Sequence, residues 1–201
     1  MELGVFDDDI VPVEGLKKRG GKSPDMISTD EEPDSANLDK LPSLRAAFQK
    51  DGTVTTGNAS SINDGAAVML IIDEDQAISM GLTPLAWICG YADAKEPPVQ
   101  FTTAPIAVER ARMAMQDVEY HEINEAFSGV ALANMMILNL DMTKVNIFGG
   151  AVSLGHPIGM SGARIVGNLY QILKRSDASV GCASICNGGG GASAIVLERL
   201  N

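Results

Sequence analysis

Four consecutive glycines, Gly188 to Gly191, divide two short apolar stretches, Ser179 to Ile185 and Ala192 to Leu197. No single regular element runs through such a break, because glycine loses the most backbone freedom on ordering and weakens helix and strand interiors. Two strands joined as a hairpin is the reading. Upstream the pattern alternates. Leu85 to Tyr91 suits a buried strand, Ile123 closes a short strand-like piece, and Val145 to Phe148 reads as a strand. Between them lie three helical patterns. Pro105 to Gln116 opens on a proline, which a first turn tolerates. Glu125 to Leu138 is rich in Ala, Leu and Met, and Ser161 to Arg175 turns Ile165, Leu169 and Ile172 inward. Strands that alternate with helices and then close as a hairpin imply an α/β layer, a mixed sheet with helices packed on its faces.

The first 50 or so residues differ in texture. They are polar, acidic and rich in turn formers, which predicts loop. Lys17, Lys18, Arg19 and Lys22 are read there as a solvated loop, with phosphate contact as the weaker alternative. From Thr53 the chain changes: Thr53 to Thr56 and Ala66 to Ile72 suit strands, and Asp75 to Met80 suits a short helix ended by Gly81. The division is therefore a loop region over residues 1–52 and a domain over residues 53–201.

Composition removes several function classes. The net charge is −11, a poor match to nucleic acid, whose phosphates need excess Lys and Arg. The longest apolar run, Ala66 to Ile72, is too short to cross a bilayer, so no membrane partner is expected. Three cysteines, Cys89, Cys182 and Cys186, do not make a disulfide framework, and a reducing compartment is the simpler assumption.

Chemistry concentrates in a few small-residue loops. One of only two histidines, His156, lies in Gly149-Gly150-Ala151-Val152-Ser153-Leu154-Gly155-His156-Pro157-Ile158-Gly159, after a strand and before a helix. Glycines there let backbone approach a ligand, and the carboxyl end of a strand is where α/β sheets bind. The other histidine, His121, has no such setting and is read as structural. Cys186 ends a strand and opens the glycine run, whose N–H groups can stabilise an oxyanion. Cys182, four residues earlier, shares that face and reads as core. The Cys-x-x-x-Cys spacing makes a weak metal case. Asn124-Glu125-Ala126-Phe127 is either a helix start capped by Asn124 or a place where the amide fixes a water or a carbonyl oxygen; spacing does not choose. Gly57-Asn58-Ala59-Ser60-Ser61-Ile62-Asn63-Asp64-Gly65 is either a turn or a bed for a flat ligand.

Together these stretches resemble the thiolase family, in its order and near its spacing, from roughly residue 4 to the end. The matching segments are Gly57 to Ala67, Asn124 to Phe127, Gly149 to Arg164 and Cys186 to Gly191, and the last two look most like acetoacetyl-CoA thiolases. The resemblance implies a thiolase-like fold, here its carboxy-terminal half only. It implies an acyltransferase that joins two acetyl-CoA into acetoacetyl-CoA and CoA, or runs the reverse thiolysis. By resemblance His156 activates a nucleophilic cysteine and helps hold the thioester oxygen. Cys186 moves the α-proton, Asn124 holds a water of one oxyanion hole, and the Gly188 N–H belongs to the other. Ser60, Ala59, Phe127 and Lys40 are the expected coenzyme A contacts. No cofactor is required. Some relatives bind potassium near the CoA, which would put the ion at the backbone around Thr56, Gly57, Ala59 and Val152.

The same resemblance implies a homo-oligomer, or dependence on an absent amino-terminal half carrying the nucleophile, whose motif none of the three cysteines matches. It implies lipid, ketone-body or isoprenoid-precursor metabolism in cytoplasm or mitochondrion. The stretch from Met113 to Tyr120 is several residues shorter than in relatives. The alternative reading is a truncated, inactive thiolase-like protein that binds CoA or acyl-CoA or regulates a partner. A polyketide-type ketosynthase fits worse, because it lacks the cysteine in a Cys-x-Gly-Gly-Gly run. An isolated half is expected to expose a wide apolar helix face and to self-associate.

Overall fold

The computed structural model describes residues 4–15, 25–110 and 117–200, with the side chains of 105–110 excepted. The basic loop residues Lys17, Lys18, Arg19 and Lys22 lie outside the described residues, as do the end of the expected Pro105–Gln116 helix and part of the short Met113–Tyr120 stretch.

A four-stranded mixed sheet organises the chain. Its strands are β3 (Ala86–Lys95), β4 (Tyr120–Ile123), β5 (Val180–Cys186) and β6 (Gly191–Arg199), in the order β3-β6-β5-β4. The glycine run behaves as its composition requires. β5 and β6 form an antiparallel hairpin from Val180↔Glu198 to Cys186↔Ala192. β4 adds parallel to β5, and β3 adds antiparallel to β6. The parallel pair needs a long crossover. Here α3 (Ser128–Leu138), α4 (Ala151–Leu154) and α5 (Ile158–Arg175) supply it. The earlier elements are the short pair β1 (Val13–Glu14) and β2 (Met26–Ile27), then α1 (Glu32–Ser35) and α2 (Glu74–Ser79).

The two faces of the sheet are covered by different helices. α5 carries Ile165, Leu169, Ile172 and Leu173 at helical spacing, and all four are buried. Ile165, Leu169 and Leu173 pack on Ala183 and Leu197. Burying each large aliphatic contributes roughly 1.5–3 kcal/mol, so α5 is the main anchor of this face. Lys174 and Arg175 in its last turn suit the negative end of the helix dipole. On the other face Cys182, Ala194 and Val196 form one cluster. Cys186 and Ala192 form a second with Ala104, Ile123, Val130 and Val145. Cys182 and Cys186 thus share a face, as their spacing on a strand demands.

Several expected elements are different in the structure, each for a local reason. Thr53 to Thr56 is a turn, because Asn58 accepts from Thr55 N at 2.7 Å and donates to Thr53 O at 2.9 Å. Ala66 to Ile72 is irregular, and Val68, Leu70 and Ile71 are 98%, 75% and 69% exposed. A strand takes its hydrogen bonds from a neighbour, and none of the described strands lies alongside. Leu85 to Tyr91 corresponds to β3, an edge strand with Tyr91 79% exposed rather than a buried one. Val145 to Phe148 keeps a single bridge, Val145 to His121, and then turns at Asn146, whose φ is 49°. Residues Pro98–Arg110 form a 3-10 stretch where an α-helix is expected from Pro105. α3 starts at Ser128 with Phe127 at the cap, so Asn124 does not cap it.

Candidate active site

Three loops meet at the carboxyl end of β4. The first is Asn124 to Phe127, leaving that strand. Asn124 N donates to Ser184 O at 2.9 Å, so β5 fixes the backbone there and the helix cannot begin until Ser128. The second is Gly149 to Pro157, leading into α5. The third is Gly57 to Gly65.

The third loop is sewn to the other two through backbone. Ala59 bridges Phe127 and Ile62 bridges His156. Ser60 N and Oγ both donate to Ala126 O, at 3.1 and 2.9 Å, and Ser128 N donates to Asn58 O at 2.9 Å. His156 N donates to Ser61 O at 2.9 Å and to Asn63 Oδ1 at 3.1 Å. Glu32 in α1 accepts from the Ser61 hydroxyl and from Asn63 Nδ2.

The loop that carries His156 is held from below. Glu125 accepts from Val152 N at 3.2 Å and from Asn146 Nδ2 at 2.9 Å. A side chain on Gly150 would enter the Glu125 carboxylate, so that approach needs glycine. Arg164 Nη2 donates to Gly155 O at 3.0 Å. Gly155 has φ 77°, a conformation that favours glycine.

His156 Nε2 lies 3.4 Å from Asn124 Nδ2, and His156 Nδ1 lies 2.7 Å from Ser161 Oγ. Partial burial, with the Arg164 charge adding to it, holds His156 below the ordinary imidazole range. It is therefore a neutral imidazole near pH 7, able to accept a proton. Asn124 is 2% exposed and its Oδ1 has no hydrogen-bond partner among the described residues.

Cys186 ends β5 and packs with Ile123, with Ala126 and Phe127 against the same cluster. Burial pushes its thiol up, so it rests protonated near pH 7. Beyond it Asn187 Oδ1 accepts from Gly189 N and Gly191 N, both at 3.1 Å. Gly188 N makes no hydrogen bond among the described residues, and a Cβ at Gly188 would meet open space. An unengaged N–H at an open rim is the donor an oxyanion requires.

The sequence-derived site residues thus divide. Asn124 and His156 are in contact, and Ala59, Ser60 and Phe127 adjoin them through backbone. Phe127 also makes edge-to-face contacts with Phe48 and Phe101 at 6.1 and 6.2 Å. Lys40 is exposed in the 3-10 stretch Leu38–Ser43, whose Leu41 abuts Gly57. The carbonyls of Thr56, Gly57 and Ala59 carry no hydrogen bond among the described residues, a donor set that suits potassium better than a divalent metal. Val152 presents its N–H to Glu125. Among the described residues no group of three His, Cys, Asp or Glu side chains could hold a metal, and no helix is long and apolar enough to cross a membrane.

Sequence reading missed Glu32, Asn63, Glu125, Asn146, Ser161 and Asn187 as positioning groups. Asn146 carried the one usable signal, since asparagine tolerates a left-handed turn.

A family model described as the thiolase carboxy-terminal domain matches residues 82–199, and the thiolase amino-terminal domain model matches residues 1–75. A cytosolic acetyl-CoA acetyltransferase of Gibberella zeae is 48% identical over 99% of this chain and 51% of its own length. An acetyl-CoA acetyltransferase of Saccharomyces cerevisiae is 49% identical over 98% and 51%. Among solved structures, Bacillus anthracis acetyl-CoA acetyltransferase superposes with a TM-score of 0.92 at 43% identity, covering 99% of this chain and 51% of that one. An Ascaris suum thiolase, Acat5, in complex with coenzyme A gives a TM-score of 0.85 at 40% identity, with the same coverage. The chain spans about half the length of the curated relatives it matches.

Proposed function

The chain belongs to the thiolase family, and from that premise we propose that it supplies the acid–base half of an acetyl-CoA C-acetyltransferase. The reaction is the Claisen condensation of two acetyl-CoA to acetoacetyl-CoA and CoA, or the reverse thiolysis. The observation that carries this is the pairing of His156 Nε2 with Asn124 Nδ2 at 3.4 Å, beside a thiol-ended strand and a glycine rim.

None of this chain's cysteines has the placement of the acylated nucleophile. Cys89 lies on the edge strand β3, far from the site in the sheet order, and Cys182 is core. The nucleophile is therefore a thiol that another segment or polypeptide brings to His156. In thiolysis His156 takes its proton, and the resulting thiolate attacks the 3-keto carbon of acetoacetyl-CoA. The oxyanion is stabilised by His156 and a water held on Asn124. The carbon–carbon bond breaks towards the acetyl-CoA enolate. The resting, protonated thiol of Cys186 gives that enolate its proton, and the Gly188 N–H supports the enolate oxygen. The Cys186 thiolate then takes the proton of the CoA thiol, the CoA thiolate takes the acetyl group from the nucleophile, and His156 returns its proton to the released thiolate. Condensation is the same sequence reversed, with the Cys186 thiolate removing the α-proton.

Ser60, Ala59 and Phe127, whose backbone adjoins the His156 loop, are assigned to the CoA arm, and the exposed Lys40 to its nucleotide end. A potassium ion on the carbonyls of Thr56, Gly57 and Ala59, with backbone at Val152, would stiffen that loop; no step uses it. Homo-oligomer formation and a place in lipid metabolism belong to the same proposal.

Titration calorimetry of the purified chain with coenzyme A, paired with a thiolysis assay, tests the proposal. Binding without turnover is expected. Undetectable CoA binding by a folded chain overturns the reading.

A further inference from the structure

We infer that Ser161 is a positioning residue that fixes the tautomer of His156, keeping the proton on Nδ1 and the lone pair on Nε2, where the reaction needs it. The inference deepens the acyl-transfer reading and rests on it for its purpose, but its evidence is the hydrogen-bond geometry.

A serine hydroxyl has one proton. Ser161 is fully buried in the first turn of α5, and its Oγ makes two contacts: it lies 3.0 Å from Pro157 O and 2.7 Å from His156 Nδ1. The Pro157 carbonyl can only accept. Once the hydroxyl donates there, Ser161 Oγ has only lone pairs left for the imidazole, so Nδ1 must carry a hydrogen and donate it. The opposite ring nitrogen agrees independently. Asn124 presents its Nδ2 to His156 Nε2, and an amide nitrogen can only donate, so Nε2 must accept. Both contacts demand the same tautomer.

The alternative is chemically complete and therefore testable. If Ser161 instead donated to Nδ1, Nε2 would carry the hydrogen and could not take a proton from a thiol. The Asn124 amide would then have to turn its oxygen to the ring, leaving the unpartnered Oδ1 position to nitrogen. Selection of the tautomer by the partner of the second nitrogen is the usual way a histidine is prepared for proton transfer.

The experiment is nitrogen-15 NMR of the histidine rings in the intact chain. The protein has two histidines, and loss of one signal set in His156→Ala assigns the other to His121. In the native chain His156 is expected to show a protonated-type Nδ1 and an unprotonated-type Nε2. Ser161→Ala is expected to mix the two forms, and Ser161→Thr, which keeps the hydroxyl, to restore the native pattern. An Nε2-protonated ring in the native chain overturns the inference whatever the variants do. So does a Ser161→Ala spectrum identical to the native one. The readout needs neither CoA nor turnover, so failure of the acyl-transfer reading would leave it standing, and its own failure would leave CoA binding untouched.

Discussion

Asn146 closes both atoms of its side-chain amide on the backbone of Ile123: Oδ1 accepts from Ile123 N at 2.8 Å, and Nδ2 donates to Ile123 O at 2.9 Å. It takes the place of a neighbouring strand at the last residue of β4, one position before Asn124. It does so from a left-handed backbone conformation, φ 49°. The same Nδ2 also holds Glu125, which in turn holds the loop that leads to His156.

Replacing Asn146 separates these roles. Asn146→Gly keeps the backbone conformation and strips two buried backbone groups of their partners, at a cost of about 2 kcal/mol or more. Asn146→Ala adds left-handed strain of about 1 kcal/mol. Urea denaturation should rank native above Asn146→Gly above Asn146→Ala. Equal midpoints for all three would show that the clamp contributes nothing.

Two buried ionisable groups contribute opposite slopes to the stability profile. Burial, with the Glu125 charge adding to it, pushes Glu122 from 4.5 up to about 8. The folded chain then holds a proton that the unfolded chain has released. The stabilisation is complete below pH 4.5 and is lost as pH rises through 8. Burial lowers His121 from 6.5 to about 4, so its contribution is complete above pH 6.5 and is lost as pH falls through 4. Each amounts to a few kcal/mol on an order-of-magnitude scale. The two windows overlap between pH 4.5 and 6.5, where their slopes oppose, so Glu122→Gln should remove the fall in stability that runs up to pH 8, and His121→Gln the rise that starts from pH 4. An unchanged slope between pH 6.5 and 8 in Glu122→Gln would refute the first assignment.

The three thiols should react in order of exposure. All are pushed up in pKa by burial, Cys182 to about 12. Access therefore decides: Cys89 is exposed, whereas Cys182 and Cys186 are buried. Iodoacetamide labelling followed by mass spectrometry should modify Cys89 first, Cys186 slowly and Cys182 only on unfolding. Early labelling of Cys182 would contradict the packing.

Helix α5 and the hairpin were legible in the sequence because their information is local. α5 follows from Ile165, Leu169 and Ile172 at helical spacing, and the β5–β6 turn from four glycines. What was not legible depends on partners distant in the chain. Ala66 to Ile72 has strand composition, but a strand needs a neighbour to bond. Val145 to Phe148 has it too, but the Asn146 amide took the place of a ladder. Of the site, His156 and Cys186 stood out through their glycine surroundings, and Asn124 gained a role only through the family resemblance. Ser161 and Glu125 did not, since a serine or a glutamate near a helix start is ordinary until its partner is seen.

Apolar surface remains uncovered. Besides Val68, Leu70 and Ile71, helix α3 exposes Leu132, Met136 and Ile137 at 52%, 81% and 54%. Such surface drives association. Light scattering should report assemblies larger than one chain, reduced by the combined change Val68→Lys and Leu70→Lys. A monodisperse monomer would contradict this.

The central claim is met most directly by reconstitution. The chain would be mixed with the amino-terminal half of the Saccharomyces cerevisiae acetyl-CoA acetyltransferase, which is similar to it, and acetoacetyl-CoA thiolysis followed. The account predicts no turnover by either part alone, turnover by the mixture, and its loss in Cys186→Ser and in His156→Ala. Turnover that survives Cys186→Ser, or a stable complex of the two parts without activity, would contradict it.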